Sequence, residues 1–336
     1  MPDTNRRFLL RERPTGRIDD RTFELVEEAI PEIADGEALL RNEWISLDPT
    51  NRAWIGETPT YLPPVAIGEV MRAGALARVV ASNTPDYEVG QLVQGLLGWQ
   101  EYAVASAANP VRVMPEIPGV APSQYLGALG MTGITAYVGM LDIGAPKPGE
   151  TVVVSAAAGA VGTIAGQLAK LQGARVVGIA GGAQKCAMLT DELGFDAAVD
   201  YKADDWYAQL KAATPDGIDV DFENVGGEIM EAVFGRLNVR ARVALCGLIS
   251  GYNDDAPTGP RNFGVLLTNR VHLEGFIVLD HFGRAGEIVP TIAGWMAEGK
   301  IQARETIVEG FDQLPVAINM LFDGANTGKL VVDVAT

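Results

Sequence analysis

Two cysteines and two histidines in 336 residues leave little from which to build a metal centre. Cys186, Cys246, His272 and His281 all lie in the second half of the chain, and no C-x-x-C pair occurs. Structural zinc takes about four ligands of these types and catalytic zinc about three more. No metal is therefore expected, and two cysteines make no disulfide framework. His272 falls in an apolar, strand-like run and is expected as a core or strand residue, not as a ligand.

Positive charge is scarce as well. Lys and Arg number 26 against 43 Asp and Glu, a net charge of −17. Such a surface repels nucleic acid and anionic lipid, and no basic cluster interrupts it. No apolar run approaches the roughly 18 residues of a membrane span. The opening Met1-Pro-Asp-Thr-Asn-Arg-Arg leads into charge and proline, not into a secretory apolar core. The expectation is a cytoplasmic protein with neither a nucleic-acid nor a membrane partner. At 48% hydrophobic residues, the chain has enough apolar material for two domains.

Residues 5 to about 124 read as β-rich. Glu37–Leu47 alternates as a strand and stops at Asp48-Pro49, and Glu69–Val80 reads as another with a bulge at Gly74. Prolines from Pro59 to Pro122, Pro118 among them, punctuate this half. After Ser123 the pattern changes. A helix is expected over Gly130–Leu141, followed by strand-like runs at Val152–Ser155, Arg175–Ala180, Ala197–Asp200, Asp219–Glu223, Arg242–Leu248 and Val271–Val278. Helical patterns lie between them. This alternation predicts an α/β fold with a Rossmann-type doubly wound parallel sheet of about six strands. The tail, Asn326-Thr-Gly-Lys-Leu-Val-Val-Asp-Val, is expected to return as a strand to the N-terminal β-rich domain.

The stretch Thr151–Lys170 organises the rest. A short apolar strand runs into a small-residue turn, and Val161, Ile164, Leu168 and Leu171 then recur at helical spacing. Gly159 and Gly162 sit at the strand-to-helix junction, where a dinucleotide pyrophosphate rests over a helix N-terminus. The first glycine of G-x-G-x-x-G is replaced by Ala157. The next strand ends in Gly181-Gly182. No acid stands there to bind a ribose 2′-hydroxyl, and Lys185 follows. A glycine platform beside a cation suits the 2′-phosphate of NADP, which a carboxylate would repel.

The runs Ala156-Ala-Ala-Gly-Ala-Val-Gly162, Val176-Val-Gly-Ile-Ala-Gly-Gly182, Glu192-Leu-Gly-Phe-Asp-Ala-Ala198, Glu223-Asn-Val-Gly-Gly227 and Gly275-Phe-Ile-Val278 together carry a resemblance. Cys246-Gly with Ser250 and Tyr252-Asn253 adds to it. The chain resembles the zinc-free leukotriene B4 dehydrogenase/prostaglandin reductase branch of the medium-chain reductases, from about Arg6 to Val334. That branch includes bacterial curcumin reductases and plant alkenal double-bond reductases. The resemblance implies a GroES-like β-rich catalytic domain at 1–125 and 302–336, and a Rossmann NADP-binding domain at 126–301. It also implies a homodimer and NADPH-dependent reduction of the carbon–carbon double bond of an enone or enal, the small-molecule substrate.

By motif position, Gly159, Ala160 and Val161 face the pyrophosphate through their backbone. Lys185 and Tyr201 hold the 2′-phosphate, and Asn224 contacts the ribose-phosphate portion. Cys246, Phe276 and Val278 neighbour the nicotinamide, and Asn326 reaches the cofactor from the tail. Tyr252 takes the position of the active-site tyrosine, a neutral donor for the enolate oxygen that forms on the substrate. The substrate pocket is expected to involve Thr50, Asn51, Tyr61, Met131 and Tyr252. The branch commonly reads Leu-Asp-Pro-Tyr-Met-Arg where this chain has Leu47-Asp-Pro-Thr50-Asn51-Arg52, so this pocket wall differs. Two alternatives stay open from sequence: a quinone reductase of the same superfamily, and an NADPH-binding protein without turnover.

Overall fold

Every residue of the strand Thr151–Val154 is buried, as a charge-free β-branched run requires. A computed structural model, describing residues 4–115, 117, 119–254 and 259–335, sets this strand inside a six-stranded sheet. Pro118 falls outside the described residues. In sheet order the strands are Ala197–Asp200, Arg175–Ala180, Thr151–Val154, Ile218–Glu223, Leu237–Leu245 and His272–Gly275. Each neighbouring pair is parallel. The sequence order therefore reverses between Thr151–Val154 and Ile218–Glu223, and the crevice outside the carboxyl ends of these two strands is where such sheets bind ligands. The helix Ala160–Leu171 packs on the sheet through Ile164, Ala165, Leu168 and Ala169. Gly166 brings it close: a Cβ there would stand 1.9 Å from the Phe195 ring.

These elements belong to a compact unit formed by Gly127–Glu305 and Asn326–Lys329. The other unit comprises Met1–Leu126, Thr306–Ala325 and Leu330–Thr336. Its main sheet is mostly antiparallel, built on Ala38–Leu47, which pairs with Ala75–Ser82, with Tyr102–Ala105 and with the closing residues Leu330–Asp333. Its core gathers Leu10, Leu40, Ile45, Trp99 and Phe311, with Phe8 edge-on to Trp99 and stacked on Phe311. Among the described residues, no helix is long and apolar enough to cross a membrane.

Three expectations are corrected. The strand expected from Glu69 begins only at Ala75. Before it the backbone bonds in turn to different segments: Met71 to Phe8 and Trp99, Ala73 to Gly98, Gly74 to Ser46. No single neighbouring strand continues the ladder. The irregularities of this pairing lie beside Leu39–Leu40 and Asn42–Trp44, not at Gly74. The helix expected over Gly130–Leu141 is α-helical only over Met131–Tyr137 and widens into π turns over Val138–Gly144. Gly139 explains the need for close approach there, since a Cβ would stand 2.5 Å from the Phe222 ring and 2.7 Å from that of Phe276. His272, in keeping with its expectation as a core or strand residue, begins a strand; its side chain is exposed and meets Glu274.

Candidate active and cofactor site

The dinucleotide turn is tighter than the sequence motif alone requires. Ala157, where the first glycine is missing, is fully buried and donates its N–H to the Ile179 carbonyl, tying the turn to the adjacent strand. The left-handed residue is Ala156, at φ 47°, a conformation that costs a non-glycine residue about 1 kcal/mol or more. Gly159 is the N-cap of Ala160–Leu171, and Gly159, Ala160 and Val161 are each partly exposed there. Among the described residues no side chain caps this end, which suits the binding of an anion by backbone N–H groups. Gly162 is buried. A Cβ there would lie 2.4 Å from the Ala156 oxygen and 2.8 Å from the Ala157 Cα.

Those obstacles are backbone atoms and cannot swing away. Gly162→Ala should lower stability by about 1–3 kcal/mol and weaken NADPH and NADH alike. Gly159→Ala, whose Cβ would meet the Ala156 oxygen at 3.1 Å, should be milder. Thermal melts with cofactor titrations check both; a stronger effect at Gly159 would contradict this account of the turn.

The tail reaches the same turn. Gly328 donates its N–H to the Ala158 carbonyl (2.8 Å) and bridges Gly159. Its positive φ of 66° and the Arg304 oxygen, 1.9 Å from where a Cβ would be, allow only glycine. Asn326, buried, donates to the Gly328 carbonyl and so shapes this segment.

At the end of the second strand, Gly181 and Gly182 lie beside two lysines. A Cβ on Gly181 would meet the Tyr201 ring at 2.9 Å and Lys202 Cε at 3.0 Å. Gly182 has φ 96°, and its N–H is held by the Asp200 carboxylate at 2.7 Å. Partial burial and the neighbouring charge of Lys202 hold the Lys185 ammonium below the ordinary lysine range. A bound anion would ease that repulsion on Lys185, so the residues present fit a 2′-phosphate. Lys202 escaped sequence reasoning. Its only signal was its place after Tyr201 at the end of the third strand.

The third part of the site is a recess of about 360 Å³ beyond the ends of Leu237–Leu245 and His272–Gly275. Cys246, Phe276 and Tyr252 line it with Leu248, Ile277 and Asp280, whereas Val278 does not. Phe276 is fixed edge-on against Phe222. The Tyr252 hydroxyl lies over the loop backbone, accepting the Leu248 N–H at 3.5 Å. Burial, with the Glu223 carboxylate adding, pushes the Cys246 thiol up to about 12, so it stays protonated at neutral pH and is no nucleophile.

Asn224 sits between the turn and the recess. Its Nδ2 donates to the Ser155 carbonyl (2.7 Å), and its own carbonyl accepts the Ile249 N–H.

Of the remaining candidates, Met131 opens the helix Met131–Tyr137 in the same unit and is partly exposed. Thr50, Asn51 and Tyr61 belong to the other unit. There the Thr50 and Tyr61 hydroxyls hydrogen-bond, and Tyr61 stands edge-on to Trp54. Asn51 is buried: its Oδ1 accepts the Asp48 N–H at 2.7 Å and its Nδ2 donates to the Arg72 carbonyl at 3.0 Å. Its amide caps the helix Pro49–Trp54, leaving Thr50 and Tyr61 as the groups of this trio that reach the surface.

Two family models match the chain: one for the N-terminal domain of oxidoreductase over residues 6–113, and one for zinc-binding dehydrogenase over 160–294. The chain is 45% identical over 337 residues to the NADPH-dependent curcumin reductase of Escherichia coli (strain K12), covering 98% of this chain and 97% of that protein. It is 36% identical to the 2-alkenal reductase (NADP(+)-dependent) of Nicotiana tabacum, over 99% of this chain and 98% of the other. Prostaglandin reductase 1 of Mus musculus is 40% identical over 93% and 94% of the two chains. The crystal structure of CurA in complex with NADPH from Vibrio vulnificus matches with a TM-score of 0.94 at 44% identity, covering 98% of this chain and 99% of that one. Despite the wording of the second family model, no three His, Cys, Asp or Glu among the described residues are grouped to hold a metal.

Proposed function

The chain belongs to the zinc-free medium-chain dehydrogenase/reductase family, and from that premise we propose that it reduces the carbon–carbon double bond of α,β-unsaturated ketones and aldehydes with NADPH. The observation that carries the reading is the placement of Tyr252 beside the neutral Cys246 and the edge-fixed Phe276 in one recess at the carboxyl ends of the strands.

In this reading, residues 1–125 with 302–336 form the catalytic domain and 126–301 bind the cofactor. Lys185, Tyr201 and Lys202 hold the 2′-phosphate. The backbone of Gly159, Ala160 and Val161 takes the pyrophosphate, with Asn224 and Asn326 alongside. Bound NADPH supplies the hydride. As the substrate's β-carbon is reduced, negative charge collects on the carbonyl oxygen as an enolate. The Tyr252 phenol donates to that oxygen, and the interaction strengthens as the charge grows, which is how a donor lowers a barrier. A neutral Cys246 adds no competing negative charge. Phe276 and Ile277 add apolar surface beside the donor.

Purified protein with NADPH and a panel of enones, enals and quinones tests the reading. Enones or enals should be reduced to saturated carbonyls faster than quinones are consumed. A preference for quinones, or cofactor binding without turnover, would overturn it.

The cytoplasm fits a reductase of this kind with a free thiol pair. A homodimer fits the end of the parallel sheet. His272–Gly275 is its last strand, and Phe263 and Leu267, 59% and 82% exposed, lie on the segment leading into it. Sedimentation at micromolar concentration should give twice the mass of 35.6 kDa.

A further inference from the structure

Glu223 lies at the carboxyl end of the strand Ile218–Glu223, fully buried, and has entered so far only as the carboxylate near Cys246. Its Oε1 accepts three hydrogen bonds: from Ser155 Oγ (2.8 Å), the Val225 N–H (2.5 Å) and the Gly226 N–H (2.9 Å). Its backbone carbonyl accepts two more, from the Cys246 and Gly247 N–H groups at 2.9 and 3.1 Å. Ser155 Oγ in turn accepts the Asn224 N–H at 2.7 Å. Val225 continues the chain of contacts, its carbonyl accepting both the N–H and the hydroxyl of Ser250 (2.9 and 2.6 Å).

Three loops meet at this one residue: the dinucleotide turn after Ser155, the Asn224–Gly227 turn, and the Cys246–Tyr252 loop. They come from three neighbouring strands on both sides of the point where the sheet order reverses. A surface loop ordinarily finds its rigidity in the element it leaves; these find theirs in a shared buried acceptor. Gly226 and Gly227, at φ 77° and 57°, let the middle turn fold tightly enough for two successive N–H groups to point at the carboxylate.

We propose that Glu223 is a positioning residue: it fixes the dinucleotide turn, Asn224 and the Tyr252 loop relative to one another, and through them sets cofactor affinity. The proposal rests on reading these loops as the NADPH site.

Burial raises the Glu223 carboxyl, while the N–H and hydroxyl groups that it accepts work against that. Asp221, two residues back on the same strand face, is pushed well above the usual carboxylate range by burial and by Glu223. Its two oxygens have no hydrogen-bond partner among the described residues. Among the described residues Asp221 makes no such bond to any of the three loops, and it serves as the control position.

The test is a titration of folded protein with NADPH and, separately, with NADH. Wild type must bind NADPH; if it does not, the reading of the site fails before the proposal is reached. Glu223→Ala leaves buried N–H groups unpaired and should weaken both cofactors by the same factor, on the order of tenfold or more. Glu223→Gln keeps Oε1 as the triple acceptor and should return to within about threefold of wild type. Asp221→Asn should leave affinity unchanged. Should Glu223→Ala fail to fold, Ser155→Ala removes one arm of the network and should still raise the dissociation constant for both cofactors. A lowered melting temperature with wild-type affinity in the folded fraction of Glu223→Ala and Ser155→Ala would make Glu223 a merely structural residue and overturn the proposal, as would a failure of Glu223→Gln to rescue.

Discussion

Tyr252→Phe should lower kcat by roughly 30- to 900-fold, corresponding to about 2–4 kcal/mol of lost oxyanion stabilisation. The affinity for NADPH should hardly move. The physical basis is the timing of the charge. The substrate's carbonyl oxygen carries little charge before reduction and most of an electron after it, so a donor aimed there acts chiefly on the transition state. The phenol is held by its own loop. Its oxygen lies over Leu248, and the loop is stitched to the neighbouring turn through Ile249 and Ser250. Removing the hydroxyl leaves the ring and the loop in place. Steady-state rates with one enal at saturating NADPH read the effect, and a kcat within twofold of wild type would take Tyr252 out of the mechanism.

Lys185→Ala should weaken NADPH by roughly 10- to 150-fold while leaving NADH within about twofold, because a charge-assisted hydrogen bond to a phosphate contributes about 1.5–3 kcal/mol and NADH has no phosphate there. Lys202→Ala should act in the same direction, and the double variant should bring the two cofactors close to parity. The structure adds a reason beyond contact. Lys185 is depressed by partial burial and by Lys202. Lys185 thus carries a repulsion that an anion bound beside it would ease. The two substitutions are therefore expected to be non-additive, because removing Lys202 also takes away the repulsion on Lys185. Dissociation constants for both cofactors across the four proteins give the answer. An equal loss for NADPH and NADH would move the 2′-phosphate elsewhere.

These two sites also show what was legible in the sequence. Gly159, Gly162, Gly181, Gly182 and Lys185 could be singled out as candidates because their signal is local: a strand, a turn and a helix within some 35 residues, each with its own periodicity. The six parallel strands were legible for the same reason. Lys202 and Glu223 were not. In the roles proposed for them, Lys202 depends on the third strand lying beside the second, and Glu223 on meeting Ser155 across a separation of 68 residues. Neither relation leaves a mark in spacing. The π turns after Tyr137 and the late start of the strand at Ala75 were hidden likewise, since each answers to partners elsewhere in the fold. Asn51 looked like a pocket residue because it departs from the family pattern. In the structure that departure serves a helix cap, and the change at Thr50 is the one that reaches the surface, joined to Tyr61.

The most direct measurement of the central claim is the fate of a label. Reduction of a 2-alkenal with NADPH deuterated at the transferable position of the nicotinamide should give the saturated aldehyde with a single deuterium on the β-carbon. An allylic alcohol labelled at the carbonyl carbon, or no labelled product at all, would contradict it.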